Sequence, residues 1–285
     1  MNCIKIIFPS LLVSMSVSVH AGDFQLLPTT PSNNVGFVAG QNSQFDDPLY
    51  LSAPRGQFVR SDSDPEVILT INYQAFQPET LSPIGSGTLT LLDFVYTPDI
   101  TFAGSSTKIG HLYDFVYRDS RDNKLVFGTR VLLGVEDDHQ KNAELNFLYR
   151  FGFEEDGTAF SAAAAWLFTV PSDLRMYNAA QTASTSLTGI RRYDADTVRM
   201  QSDVNRAEGN QTSGLFLVKT DAEYYTLANR AVGIFQAGEE GQPLVGNEFY
   251  GFVPTNVPAV PEPSTYGMLL GGLALTAWAA CKRKA

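Results

Sequence analysis

Ala143-Glu144-Leu145-Asn146-Phe147-Leu148-Tyr149-Arg150-Phe151-Gly152-Phe153 puts an apolar side chain at every odd position, with Glu144, Asn146 and Arg150 on the other face. A period of two belongs to a strand, because successive side chains leave the pleated backbone on opposite sides. The segment reads as a half-buried strand whose aromatic face lies on a core. Beyond the turn Glu154-Glu155-Asp156-Gly157, the pattern resumes at Phe160, Ala162, Ala164, Trp166, Phe168 and Val170. Upstream, Leu125, Phe127, Val131 and Leu133 repeat it, preceded by Tyr113, Phe115 and Tyr117 across the polar turn 119–123.

Further strands are expected at 67–76, 88–96, 197–204, 215–219, 224–227 and 232–237, between turns rich in Gly, Asn, Asp and Ser. Read as a meander, strands 112–118, 124–133, 143–153 and 159–170 run up and down one sheet. Residues 172–183 read either as a helix capped by Ser172 or Asp173 after Pro171, or as a loop. Many short strands with polar turns indicate an all-β domain, an antiparallel β-sandwich or jelly roll. A β-helix would show a fixed coil length, and none recurs.

The two ends differ from this body. Lys5 and the apolar run 6–19 precede Val19-His20-Ala21, small residues at the positions a signal peptidase reads. Residues 1–21 are therefore expected to be a signal peptide cleaved between Ala21 and Gly22, leaving an exported domain 22–259. At the other end Pro261, Glu262 and Pro263 precede an uncharged run from Tyr266 to Ala280, followed by Lys282, Arg283 and Lys284. As a single transmembrane helix over about 265–281, this run would rise roughly 22 to 27 Å, enough for a thin bilayer. The basic tail 282–284 would then stay cytoplasmic, and the two prolines would hold the residues before the helix extended and accessible.

Residues 260–285, with the motif at 261–263, resemble the PEP-CTERM sorting signal. That resemblance implies export by a Gram-negative bacterium that makes exopolysaccharide, and recognition of the tail by an exosortase, a transpeptidase-like membrane enzyme. It implies nothing about what the domain 22–259 does.

Residues 22–259 keep 16 of the chain's 20 basic residues and 29 of its 30 acidic ones, a net charge of −13. Such a body repels nucleic acid and anionic membranes, and would hold acidic polysaccharide only through cations or local basic patches. Both cysteines, Cys3 and Cys281, lie in the ends, so no disulfide framework supports the exported part and packing must do so.

No catalytic residue stands out. His111 and His139 are the body's two histidines, and neither has H-E-x-x-H or another zinc-ligand spacing. A Ser-His-Asp arrangement using His139 beside Asp137 and Asp138 stays open, since its partners need not be near in sequence. Two carboxylates acting on a glycan are a second reading, but the acidic clusters 136–138 and 154–156 fall at opposite ends of the meander. Asp119, Asp122, Glu154, Glu155 and Asp156 fall at one end and are the calcium candidates, in no recognisable calcium-loop spacing. Asp62, Asp64 and Glu66 read as a solvated loop or strand entry. The chain is thus expected to be an exported, non-enzymatic structural or binding protein of the cell surface or matrix, without a cofactor. Its expected partners are signal peptidase, an exosortase-like enzyme and exopolysaccharide. The alternatives are a secreted glycan hydrolase and a calcium-dependent carbohydrate-binding module.

Overall fold

The structure, a computed structural model, describes residues 24–27, 35–36, 49, 51, 58–76, 83–186, 192–238 and 241–258. Residues 1–21, expected to be a signal peptide, and the tail 260–285 lie outside the described residues. Within them the chain is all-β, with no α-helix, and no helix is long and apolar enough to cross a membrane.

Two antiparallel sheets carry the fold. The larger has ten strands, eight of them on one path. That path runs from β1 (Gln25–Leu26) through β11 (Ala163–Leu167), β16 (Leu215–Lys219), β7 (Leu125–Leu133) and β6 (Lys108–Asp119). It continues through β5 (Pro83–Thr101) and β4 (Ile68–Phe76) to β3 (Phe58–Arg60). Off it, β15 (Thr212–Ser213) joins β7 to β12 (Asp173–Leu174), the latter in parallel. The smaller sheet has six strands, in the order β18 (Leu244–Thr255), β17 (Tyr224–Ala237), β8 (Glu144–Arg150), β14 (Val198–Asn205), β13 (Asn178–Gln181) and β2 (Val35–Gly36). A small hairpin of β9 (Glu154–Glu155) and β10 (Thr158–Ala159) stands apart.

The expected strands form, but the meander breaks after β7. β6 and β7 pair as a hairpin with Arg118 opposite Leu125, and β8 then leaves for the smaller sheet while β11 returns to the larger one. The free edge of β7 is taken instead by β16, 82 residues or more downstream, with Leu217 opposite Gly128. Alternation sets which faces a strand offers, and says nothing about which strand completes its ladder.

Residues of both sheets meet in one core. Leu112, Val116, Phe127 and Trp166 of the larger sheet share it with Leu148, Met200, Val232 and Phe252 of the smaller. Trp166 is fully buried there, on the face expected of it. A second core lies on the other side of the larger sheet, where Ile71, Tyr73, Phe115, Tyr117, Val126 and Leu217 pack together. The sheet rolls around it until its two ends approach. Phe24, beside β1, meets Tyr73 of β4 edge-on at 5.9 Å, and Arg60 of β3 donates to the carbonyl of Thr169 beyond β11.

Two expectations about charge are overturned. β8 is buried on both faces. Its inward side carries Leu148 and Arg150, while Phe147 and Tyr149 point away from the larger sheet. Arg150 enters the core because a carboxylate waits opposite: its guanidinium binds Asp114 of β6, the Thr129 hydroxyl at 2.6 Å and the Phe252 carbonyl at 2.8 Å. Burial pushes the Asp114 carboxyl above its usual range, and Arg150 opposes the rise. The loop 61–67 leads into β4, as one of its two readings had it, but it is not simply solvated. Glu66 pairs with buried Arg130, and Asp64 accepts from the Tyr113 hydroxyl at 3.0 Å.

Arg130 also explains why 172–183 is no helix. Asp173 spends its carboxylate on Arg130 at 2.7 Å, the Thr212 hydroxyl at 2.9 Å and the Thr169 and Val170 amides at 2.6 and 3.0 Å. Those bonds fold the segment back as a turn leading into β12 and β13.

Candidate functional site

Two arrangements of side chains stand out from the rest of the fold. The first is a trough on the outer face of the smaller sheet. Tyr149, Gly233 and Glu248 lie opposite one another on β8, β17 and β18, and so do Phe147, Phe235 and Gly246 in the neighbouring row. Glycines thus sit between or beside large side chains on one face. A Cβ at Gly233 would fall 2.8 Å from the Phe151 ring, and one at Gly246 would fall 2.8 Å from the Phe235 ring. Their absence leaves a cleft of about 350 Å³ lined by Tyr149, Phe151, Phe235, Arg230, Asn247 and Glu248 among others.

The aromatic wall is ordered by its neighbours. Tyr149 and Phe151 stack at 5.9 Å and 6° between planes, and the Tyr149 hydroxyl donates to the Ser184 carbonyl at 3.0 Å. Arg199 lies 4.4 Å over the Phe147 ring and donates to the Ser184 and Ser186 carbonyls, which fixes the loop bordering the trough. At the polar end Arg230 sits at φ +63° within the bulge between Ala228 and Val232, and grips both oxygens of Glu248. That pairing raises the Arg230 pKa further.

The second arrangement joins both histidines of the body. Asp99 stands at φ +55° near the end of β5, His111 is on β6, and His139 follows β7 in the loop to β8. Metal-binding atoms of the three residues lie within 4.8 Å of one another, and the imidazole rings meet edge-on at 5.0 Å. His139 Nε2 bonds Asp99 Oδ1 at 3.1 Å, while its Nδ1 accepts from the Glu136 amide at 3.3 Å. His111 Nε2 bonds Glu136 Oε1 at 3.4 Å, and its Nδ1 accepts from the Asp99 amide at 3.4 Å. Lys108 bridges Asp99 at 3.0 Å and Asp138 at 2.8 Å. Hydrogen bonding by His139, then by Lys108, lowers the Asp99 pKa.

The calcium candidates do not converge. Asp119 is buried and binds the Tyr73 hydroxyl and Lys219, each at 2.5 Å, and Lys219 also takes Asp122 at 2.7 Å. Glu155 accepts from the Thr255 hydroxyl at 2.7 Å and the Asn256 amide at 2.6 Å, while Glu154 and Asp156 are exposed. Asp119, Asp122 and Glu155 are thus answered by lysine, hydroxyl and amide donors belonging to the fold. His139 has Asp99 as its acidic partner rather than Asp137 or Asp138. Ala21, Gly22, Pro261, Glu262, Pro263, Lys282, Arg283 and Lys284 lie outside the described residues.

Comparison with known proteins bears on the tail. Residues 259–284 match the family model of the PEP-CTERM protein-sorting motif. The match spans the proline pair, the uncharged run and the basic end that the sequence singles out. A PEP-CTERM tail implies export and recognition by an exosortase. No curated protein and no solved structure matches the chain.

Proposed function

We propose that this PEP-CTERM protein is a non-enzymatic polysaccharide-binding component of the cell surface or extracellular matrix, with the trough on the smaller sheet as its binding site. In this reading residues 265–281 cross the membrane as a helix until an exosortase processes the chain, and the two-sheet body is a β-sandwich displayed outside. The observation that carries the reading is the trough itself, a concave aromatic surface ending in a few convergent polar groups. A pyranose ring has a C–H face that packs on an aromatic plane and a rim of hydroxyls that need donors and acceptors. Tyr149, Phe151 and Phe235 supply the first requirement, and Glu248 and Arg230 supply the second.

The charge of Arg230 is matched by Glu248, and residues 22–259 carry a net −13, so neutral polysaccharide fits better than acidic. Binding is also favoured over hydrolysis. A glycosidase needs two carboxyl groups roughly 5 to 9.5 Å apart across the scissile bond. Among the described residues lining the trough Glu248 is the sole carboxylate, and Arg230 occupies it.

The test is affinity electrophoresis of the full-length chain in mild detergent, through gels containing neutral or acidic polysaccharides. Retardation by a neutral polymer is expected, weakened about tenfold or more in Phe151→Ala, with no release of reducing ends. Absence of retardation in every polymer, or equal retardation of the variant, would overturn the assignment to the trough.

A further inference from the structure

The cluster of Asp99, His111 and His139 lies outside the trough and is used by nothing proposed above. The geometry points to a site there for one divalent transition-metal ion of the zinc type, held by the two imidazoles and the Asp99 carboxylate, with Glu136 in reach as a fourth ligand. Imidazole nitrogen together with carboxylate oxygen is a donor set that such ions take readily and that hard cations such as calcium do not.

Four observations carry the inference. Two strands and a loop, remote in sequence, bring the body's two histidines to one spot, where their metal-binding atoms and that of Asp99 lie within 4.8 Å of one another. Ligands bound at 2.0 to 2.2 Å around a tetrahedral ion are about 3.4 Å apart. The cluster must therefore close by about 1 to 1.5 Å. Asp99, with 42 % of its side chain exposed, is free to supply that movement, while His139 is fully enclosed and fixes one ligand in place. Glu136 Oε1 stands 3.4 Å from His111 Nε2 beside the group, on an exposed side chain that can swing toward an ion. Charge favours a cation too, since Asp99, Glu136 and Asp138 border the site against Lys108. Lys108 is not stranded when Asp99 turns to a metal, because Asp138 holds it at 2.8 Å.

Metal would replace the 3.1 Å bond between His139 Nε2 and Asp99 with a bond from each to the ion, and the contacts on the far ring nitrogens are long. In neutral imidazole one ring nitrogen bears a proton and the other is free, so metal at Nε2 places the proton on Nδ1. That gives up the two amide contacts to Nδ1, which at 3.3 and 3.4 Å are beyond the usual hydrogen-bond range. Once bound, the ion would pin the end of β5, the start of β6 and the loop after β7 to one another.

The experiment is isothermal titration of zinc chloride, with calcium chloride in parallel, into untagged full-length chain stripped of metal and held in mild detergent. One saturable zinc equivalent is expected, with no calcium competition. His111→Gln and Asp99→Asn should each weaken binding about tenfold or more. Asp119→Asn with Asp122→Asn, at the far end of β6, should leave it unchanged. Because His139 is enclosed, no conclusion depends on its variant. A heat signal without saturation, or a stoichiometric site equally strong in His111→Gln and Asp99→Asn folded as the parent, overturns the assignment. The sugar-binding variant Phe151→Ala should bind zinc normally.

Discussion

Replacing Arg150 tests whether the two sheets are held by an ion pair or merely by apolar packing around one. Arg150 is fully buried and its Nε has no partner among the described residues. Its other nitrogens bind Asp114, the Thr129 hydroxyl, the Gly128 carbonyl at 3.2 Å and the Phe252 carbonyl at 2.8 Å. Arg150→Met leaves the Asp114 carboxylate enclosed with only the Phe252 amide at 2.7 Å and a weak Thr129 contact at 3.5 Å. An unpaired buried charge of this kind costs about 3–5 kcal/mol. Asp114→Asn strands the guanidinium instead and should cost a similar amount, although its amide oxygen still serves the Phe252 N–H.

The double variant removes both charges while keeping that acceptor, and should fall within about 2 kcal/mol of the parent. The non-additivity is then larger than either effect on its own would suggest, which a double-mutant cycle measures. Urea denaturation followed by Trp166 fluorescence, in a Trp278→Phe background, reads it out. At about 2–3 kcal/mol per molar for a domain of this size, each single variant should lower the midpoint by about 1 to 2.5 M. Single variants within about 1 kcal/mol of the parent, or a double variant equal to the sum of its singles, would refute the reasoning.

Gly251→Ala should cost about 1–3 kcal/mol in the same assay, because a Cβ there would stand 2.4 Å from Asp114 Oδ2, which Arg150 and Phe252 prevent from yielding. Restored stability in Gly251→Ala combined with Asp114→Asn would not be expected, since the asparagine fills the same space. Glu155 has its pKa lowered by the Asn256 amide and then by the Thr255 hydroxyl. Its contribution is therefore present above the ordinary value of 4.5 and lost as pH falls through the lower folded value, so Glu155→Gln should flatten that acid limb of the stability profile. An unchanged limb would show that these bonds add nothing. Pro261, Glu262 and Pro263 all changed to Ala should leave unprocessed chain in the membrane fraction, and normal release at unchanged mass would disprove their role in sorting.

The strands were legible because their signal is local. Phe160, Ala162, Ala164 and Trp166 enter the inter-sheet core as their alternation requires, and so do Leu125, Phe127, Val131 and Leu133. Partners were not legible, since β7 closes against β16 and β15 rather than β8. Ala143, Leu145 and Phe153 face the inter-sheet core as expected, but the middle of β8 was misread for a related reason. Its aromatic residues suggested the inward face, yet Arg150 takes that face because Asp114 lies on the other sheet, and Phe147 and Tyr149 find cover from Arg199 and the Ser184 carbonyl. A buried charge is decided by its counter-charge, and no period within one strand can reveal that.

The candidate sites escaped the sequence on the same principle. A metal-ligand spacing is recognisable when one helix or hairpin supplies the ligands, as in H-E-x-x-H. Here a strand end, a strand and a loop each supply one residue, so the spacing of Asp99, His111 and His139 encodes the β5–β6–β7 topology rather than a motif. The trough left a faint mark: Gly233 and Gly246 stand within the long strands β17 and β18, where glycine weakens the ladder unless something must approach closely. In the folded chain that something is the Phe151 ring against Gly233, and the Ile234 carbonyl followed by the Phe235 ring against Gly246. Both glycines keep an aromatic surface open on a face that a third or fourth large side chain would have filled. The strands thus give up two side chains so that rings and backbone can close in, and the trough is the space that remains above them.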